Sequence, residues 1–273
     1  MDYQTFKPHP DLAPLIKLFW TLKIPSDPHI KKQRVLPDGC VEMIFILGDD
    51  IQRCASEKEF IIQPRAFILG QISTPFYVKP TGHVDSFAVR FYPYAFSNFI
   101  SIPIHKLANT ETPLSELFEK KVASKLEADI KSAPSTQERI RIIETFFLNL
   151  SKEKRVVDGL VKSLTDAILS TGGSISIKSV LEDTPSKRRQ LERMFLKEVG
   201  ISPKQFSKVV RLQAALKLLL EKSSSSNTRI AYGANYYDQS HFIKDFKEFT
   251  GVSPTEFFDN DELSLSSVLY EGD

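Results

Sequence analysis

Short apolar blocks separated by turn residues fill the first hundred residues of the chain. The block at 34–36 leads into a Pro-Asp-Gly turn signal at 37–39, and a second apolar block follows at 41–47. This order predicts a strand, a turn and a second strand. Further strands are predicted at 66–69, 76–79 and 86–91. Several short strands at such spacing indicate a β-sandwich or barrel.

From residue 114 onwards the apolar positions recur at helical spacing instead. Two helices are predicted over 114–131 and 137–150, and Ser135 or Thr136 can cap the second of them. Further helices are predicted over 157–169 and 204–222. The pattern therefore predicts an α+β protein with a β-rich first part and a helical second part. The expected parts are a β-rich domain at 1–105, a helical connector at 106–151, an all-helical domain at 152–258 and a fraying acidic tail at 259–273.

Composition places the chain among ordinary globular proteins. It has 273 residues, of which 41% are hydrophobic and 26% charged. No apolar run has the length of a membrane-spanning helix, and the N-terminus lacks the basic start and apolar core of a signal peptide. We therefore expect a cytoplasmic protein without a membrane partner, in which Cys40 and Cys54 are reduced thiols.

The net charge of +2 hides an uneven distribution. Residues 1–151 hold 18 Lys and Arg against 17 Asp and Glu, whereas residues 152–258 hold 18 against 12. The tail at 259–273 holds five acidic residues and no basic ones. A basic helical domain attracts polyanions such as nucleic acid, although an excess of this size also occurs in proteins that bind none.

A repeat with an offset of 51 residues relates the stretches 191–206 and 242–257. In each copy a phenylalanine marks the buried face of a helix, a glycine takes the left-handed C-cap, and Ser-Pro begins the next helix. A short helix is predicted before each copy, at 175–182 and 228–234. Each copy is thus predicted to be a helix-turn-helix unit. The identical pairs are Phe195/Phe246, Gly200/Gly251, Ser202/Ser253, Pro203/Pro254 and Phe206/Phe257.

Residues 156–258 resemble the DNA-binding domain of the AraC/XylS family of bacterial regulators. The resemblance is strongest over 235–246, continues over 250–254, and extends to the first unit over 190–195 and 199–203. Two spaced motifs are more specific than a single short one. In addition, the segments 34–41, 67–71 and 89–93 resemble an uncharacterised N-terminal domain that is found fused to AraC-type domains.

Four positions depart from the family pattern. In the first unit Leu181 stands for a small Ala, Pro185 for the turn Gly and Lys187 for the Ser N-cap, for which Ser186 is the alternative. In the second unit Asn235 stands for the turn Gly, and Asn tolerates the left-handed region better than most residues. We therefore expect the first turn to differ in shape from that of the family.

The resemblance implies a sequence-specific transcription regulator whose second helix in each unit enters the major groove of double-stranded DNA. It implies a small-molecule effector or a dimer contact in the N-terminal domain, a homodimer, and RNA polymerase as a partner. No cofactor is expected, and the sign of regulation, activator or repressor, stays open. Arg and Gln suit base edges, and Ser and Lys suit phosphates. The alternative for each residue is a solvated helix face, and for Arg193 it is also a salt bridge within the domain. The implied contact residues are Arg188, Arg189, Arg193, Gln239, Ser240 and Lys244.

Candidate catalytic chemistry is sparse, so no enzyme is predicted. The five histidines lie far apart along the chain, and no phosphate loop, nucleophile elbow or HExxH motif occurs. Two alternatives stay open: a protein-interaction module that has lost DNA binding, and a small-molecule enzyme in the N-terminal domain. Arg65, Gln71 and Arg90 lie in or beside apolar strand segments and need a partner, either a ligand or another side chain. Nine aromatic residues could line a ligand pocket or fill a core: Phe19, Trp20, Phe45, Phe67, Phe76, Tyr77, Phe87, Phe91 and Tyr92.

Overall fold

The chain consists of a β-rich first part followed by helices, which confirms the predicted α+β class. The computed structural model describes residues 1–27, 29, 31–56, 59–150, 158–176, 185–221 and 227–257. The acidic tail at 259–273 and all but the first two residues of the short helix predicted at 175–182 lie outside the described residues.

Two antiparallel sheets form the β-rich part. All five predicted strands are present within about two residues of their expected bounds. The large sheet contains β1 (Asp2–Phe6), β2 (Ile16–Ile24), β4 (Val41–Ile46), β7 (Ala66–Leu69), β9 (Val84–Phe91) and β10 (Glu111–Pro113), in the spatial order β1-β2-β9-β4-β7-β10. The small sheet contains β3 (Gln33–Val35), β5 (Ile51–Cys54), β6 (Phe60–Ile62) and β8 (Phe76–Pro80), in the order β3-β8-β5-β6.

The central strands β4, β7 and β9 of the large sheet are buried on both faces. Successive side chains of a strand point to opposite sides. In β4, Met43 and Phe45 belong to the main hydrophobic core, which the helices complete. Their neighbours Glu42, Ile44 and Ile46 face the space between the two sheets. This alternation places one carboxylate inside an otherwise apolar layer.

The first predicted helix is interrupted. Residues 118 and 119 have extended dihedrals, with ψ of 161° and 134°, and they separate α1 from α2. The break turns Phe118 towards Phe146, whose ring lies 5.3 Å away in an edge-to-face contact. The helices are α1 (Leu114–Leu117), α2 (Lys120–Ser132), α3 (Thr136–Leu150), α4 (Gly159–Ser170), α5 (Pro185–Glu198), α6 (Pro203–Glu221), α7 (Asn227–Gly233), α8 (Gln239–Thr250) and α9 (Pro254–Phe257), together with short 3-10 helices at Ala95–Asn98 and Ile104–Leu107.

The hairpin of α2 and α3 packs on the large sheet. Phe147 of α3 is fully buried, and its ring lies 5.2 Å from that of Phe91 and 4.5 Å from that of Phe99. Such aromatic contacts fix the angle at which the hairpin meets the sheet. On α4, Val161, Leu164 and Ile168 are fully buried, whereas Leu160 is 61% exposed.

The C-terminal helices share their core with the β-rich part. One buried cluster contains Phe91 of the large sheet as well as Phe195 of α5 and Phe206 of α6. At Gly200, after α5, the backbone is left-handed with φ of +102°, and a Cβ there would lie 2.9 Å from Ile104 Cγ2. The first repeat unit is therefore packed directly against the 3-10 helix Ile104–Leu107.

We expect Phe147→Ala to lower the free energy of unfolding by about 3–5 kcal/mol, because it opens a cavity among several rings. Phe60→Ala is the matched control, since Phe60 is 44% exposed, and it should change stability by no more than about 0.5 kcal/mol. Urea unfolding followed by circular dichroism measures both values. Equal losses in the two variants would contradict this description of the core.

Candidate nucleic-acid interface

In both repeat units a glycine in the left-handed conformation ends the first helix of the repeated stretch. Gly200 ends α5 with φ of +102°, and Gly251 ends α8 with φ of +76°. Both values lie in the left-handed region, where a side chain is strained. The predicted glycine C-caps are thus confirmed in both units.

The same correspondence holds for the helix that begins after each glycine. The amide of Gln205 donates to Ser202 Oγ over 3.2 Å, and the amide of Glu256 donates to Ser253 Oγ over 3.3 Å. Each side chain returns the bond, since Gln205 Oε1 and Glu256 Oε2 accept from the serine amides at 3.2 Å and 2.9 Å. These hydrogen bonds hold the pKa of Glu256 below its ordinary value.

The turn of the second unit takes the predicted form. Asn235 has φ of +61°, so it occupies the left-handed position expected of a turn glycine. Asp238 then caps α8 by accepting a hydrogen bond from the amide of His241 over 2.7 Å. The turn before α8 is therefore fixed by local hydrogen bonding.

A buried carboxylate holds α8 against the long helix α6. Asp245 is 1% exposed, and its Oδ1 lies 3.0 Å from Lys208 Nζ. Arg211 and His241 lie 3.8 Å and 3.6 Å from Oδ2. Burial opposes the charge of Lys208, but hydrogen bonds to Asp245 and Glu248 hold the pKa of that amine above its ordinary value. The orientation of α8 is thus set from its inner side, which leaves the outer side for a partner.

The outer side of α5 is basic. Arg188, Arg189 and Arg193 are all exposed, and the first turn of the helix contains no acidic residue. Arg188 Nε lies 3.2 Å from Glu192 Oε1, a solvent-exposed pair that a phosphate can replace at little cost. The positive end of the helix dipole also favours an anion there.

The start of α5 corrects one expectation. Helix α5 begins at Pro185, so Ser186 lies inside the first turn and does not cap the helix. Proline is favoured at this position because its missing N–H would have no partner there.

Gln239, Ser240 and Lys244 are exposed on the N-terminal half of α8. Gln239 Oε1 accepts a hydrogen bond from Thr228 Oγ over 2.6 Å, which orients the amide from the preceding helix α7. All six residues that the sequence predicts as DNA contacts are therefore exposed, three on each of the two corresponding helices. Their contact with DNA stays a prediction.

Sequence reasoning missed Tyr237. Its side chain is 87% exposed, immediately before the cap of α8. Tyr236 is 3% exposed and lies 5.3 Å from the ring of Phe242, so the adjacent tyrosine has to point outwards. The signal in the sequence for an exposed aromatic residue is this pair of consecutive tyrosines, in a turn that can bury only one of them. A phenol in that position can bond to a phosphate or sugar oxygen.

A second site lies in the β-rich part, where a cavity of about 100 Å³ separates the two sheets. Of the nine aromatic candidates, Trp20, Phe67 and Phe76 line it. Phe19, Phe45, Phe87 and Phe91 belong instead to the main core. The polar residues in the wall are Gln33, Glu42, Gln63 and Ser86.

Glu42 is the buried carboxylate of this cavity. Its Oε1 accepts hydrogen bonds from Trp20 Nε1 over 3.0 Å and from Arg90 Nε over 2.7 Å. Arg90 Nη2 also lies 3.5 Å from Asp38 Oδ2, so two carboxylates share one buried guanidinium. Burial raises the pKa of Glu42 above its ordinary value, although Arg90 opposes the shift.

The polar strand residues for which the sequence left the partner open each bond to a protein group, although Gln71 Oε1 is buried without a hydrogen bond from a described residue. Arg90 bonds to Glu42 as above, Gln71 Nε2 donates to the carbonyl of Gly39 over 2.8 Å, and Arg65 Nη2 lies 2.6 Å from Asp50 Oδ1. Cys40 and Cys54 are not joined by a disulfide. In the part of the chain that is described, no helix is long and apolar enough to cross a membrane, and no three metal-binding side chains cluster.

Two family models match the chain. Residues 183–260 match a family described as a helix-turn-helix domain, and residues 4–113 match a family described as a domain of unknown function. The first match contains both repeat units with their glycine C-caps, Gly200 and Gly251. The second contains most of both sheets.

Named relatives and a solved structure are also similar. The chain is 28% identical over 174 residues to an uncharacterised helix-turn-helix transcriptional regulator of Haemophilus influenzae, covering 60% of this chain and 55% of that protein. It is 39% identical over 70 residues to the transcriptional regulator MtrA of Neisseria gonorrhoeae, covering 26% and 23%. A structure of ToxT from Vibrio cholerae covers 97% of this chain and 100% of its own, at 11% identity and a TM-score of 0.47. The chain thus spans about half the length of the first relative. Both named relatives are described as helix-turn-helix transcriptional regulators.

The buried position of Asp245 yields a prediction about stability. Asp245→Ala leaves Lys208 and Arg211 without their buried partner, and we expect a loss of about 3 kcal/mol in the free energy of unfolding. Glu248→Ala is the control, because it removes the other carboxylate that pairs with Lys208. The Glu248 side chain is 52% exposed, so its removal should cost less than about 1 kcal/mol. Urea titration at pH 7 compares the two. A larger loss for Glu248→Ala would refute the role assigned to Asp245.

Proposed function

We propose that this chain, whose C-terminal domain is a helix-turn-helix domain of the AraC type, is a sequence-specific DNA-binding transcription regulator. The observation that carries the proposal is the duplication itself. Two units share their C-caps and capping boxes, and each presents a helix with an exposed polar or basic N-terminal half. A helix that is held by buried contacts on one side and exposes polar residues on the other is suited to the major groove.

The exposed residues of α5 and α8 are suited to two kinds of contact, with base edges and with phosphates. Arg188, Arg189 and Gln239 carry planar groups that can bond to two atoms of a guanine or adenine edge. Ser240 and Lys244 suit phosphate oxygens, which position the helix without reading sequence. Arg193 lies one turn further along α5 and has no ion pair with any described residue, so it is available to a phosphate.

Tyr237 joins this set as a further contact. Its exposed ring immediately precedes Asp238, the N-cap of α8. The β-rich domain then supplies the effector site, for which the cavity between the sheets is the candidate. A homodimer and contact with RNA polymerase stay predictions of the family resemblance.

Two substitutions on α8 test base reading and phosphate contact separately. Gln239→Ala should relax preference at one base pair by about 1–3 kcal/mol, because it removes a bidentate base contact. Lys244→Ala should weaken binding to all sequences and lower the slope of log affinity against log salt by about one. Fluorescence anisotropy with a duplex from the region upstream of the chain's own gene, over a salt series, measures both effects.

The control for these variants is Lys121→Ala, which removes the same charge from an exposed site on α2. It should leave both the preference and the salt slope unchanged. If Gln239→Ala and Lys244→Ala bind like the unaltered chain, the second unit does not read DNA. Absence of salt-dependent binding in the unaltered chain would favour the interaction-module alternative.

A further inference from the structure

Strands β3 and β8 form an antiparallel ribbon whose two faces contact different parts of the molecule. Their register pairs Gln33 with Val78, Arg34 with Tyr77, and Val35 with Phe76. Because side chains alternate along a strand, the first and third pairs face one side and the middle pair faces the other. The cavity wall contains Gln33, Val35, Phe76 and Val78.

The middle pair reaches the DNA-binding domain. Arg34 is 5% exposed, and its guanidinium donates to the carbonyl oxygen of Thr250 and to the hydroxyl of Tyr77. The guanidinium also lies 4.7 Å from the centre of the Tyr77 ring. Thr250 is the last residue of α8, where helix carbonyls lack intrahelical partners and attract a cation. The ribbon is therefore bonded directly to the C-terminal end of the second recognition helix.

A second path leads from the cavity to α6. Arg90 bonds to Glu42 in the wall and lies 3.5 Å from Asp38, which belongs to the turn at 37–39. The carbonyl of Pro37 in that turn accepts a hydrogen bond from Gln213 of α6. The wall of the cavity thus touches the DNA-binding domain at two points, the end of α8 and the long helix that joins the two units.

The wall also indicates what fits inside. It is apolar except for a few groups, and both hydrogen bonds that Glu42 accepts from described residues end on Oε1. Neither of these bonds uses Oε2, and Glu42 lines the cavity. Glu42 is the one charged residue among the described residues that line the cavity, so a cationic donor suits this wall better than an anion. A volume of about 100 Å³ is comparable with apolar cavities that hold a benzene-sized molecule.

We propose that the cavity between the sheets binds a small apolar amine, whose ammonium group bonds to Glu42, and that occupancy changes DNA affinity through Arg34. An occupant wedged between the sheets moves the β3–β8 ribbon relative to the large sheet, and Arg34 carries that movement to α8. The coupling half of this inference rests on the proposed DNA-binding function; the ligand half does not.

Trp20 provides a direct readout of the ligand half. It is the only tryptophan of the chain, it lines the cavity, and its indole N–H bonds to Glu42. Benzylamine, titrated at millimolar concentrations into the full chain, should change Trp20 fluorescence to saturation. Benzoate has the same ring and the opposite charge, and it should bind at least tenfold more weakly. Glu42→Gln should weaken benzylamine binding at least tenfold, while the comparison of the two probes needs no variant.

The coupling half is tested by DNA affinity with and without saturating benzylamine. We expect a change of at least about fivefold in the unaltered chain. The ratio should fall to about one in Arg34→Ala. Arg65→Ala is the matched control, because Arg65 belongs to the same domain, pairs with Asp50 and bonds to no described residue of the C-terminal helices; it should keep the ratio.

The outcomes separate the claims. No saturable Trp20 response, or an equal response to benzoate, would overturn the assignment of an amine. Saturable binding with unchanged DNA affinity, or a ratio that survives Arg34→Ala, would overturn the coupling. Failure of the unaltered chain to bind any duplex would refute the proposed function instead, and the fluorescence titration would still decide the ligand.

Discussion

The burial of the C-terminal helices against the β-rich part is the constraint on which the rest of the structure depends. Glycines make the close approach possible. A Cβ at Gly39 would lie 3.0 Å from Phe206 Cε2, and one at Gly200 would lie 2.9 Å from Ile104 Cγ2. Apolar surface from both parts is removed from water in one cluster, which packs the C-terminal helices against the β-rich part.

The three N-terminal segments that resemble a domain fused to AraC-type readers each contribute a residue to this contact or to the turn beside it. Segment 34–41 contains Arg34, which bonds to the end of α8, and the turn that α6 covers. Segment 67–71 ends at Gln71, which bonds to that turn. Segment 89–93 contains Arg90, which ties the turn to Glu42 in the cavity wall. The residues that carry the resemblance thus lie where the two parts meet, not only in the β-rich core.

Local patterns allowed the repeat to be predicted in detail. Glycine C-caps, Ser-Pro starts and the left-handed Asn235 are decided within a few residues of the chain, so the sequence contains enough information to predict them. Strand β2 was missed although it is nine residues long, because it is buried along most of its length and does not alternate clearly. Strands β1, β5, β6 and β10 were also missed, and each has only three to five residues. Strand β3 is as short, but the Pro-Asp-Gly turn beside it marked its position.

The cavity could not be predicted for a different reason. Its wall comes from both sheets, and which aromatic residues line it depends on the face that each strand turns towards its neighbour. Trp20 and Phe19 are adjacent in sequence, yet one lines the cavity and the other fills the main core. Likewise, the choice of Glu42 and Asp38 as partners of Arg90 follows from strand register and the turn, which are properties of the folded chain.

The most direct test of the central claim is a hydroxyl-radical footprint of the full chain on its target duplex. Two helix-turn-helix units that enter successive major grooves should protect two patches on one face of the DNA, centred about 10 base pairs apart. A single protected patch would contradict reading by both units. No protection at all would contradict the assignment of the C-terminal domain as a DNA reader.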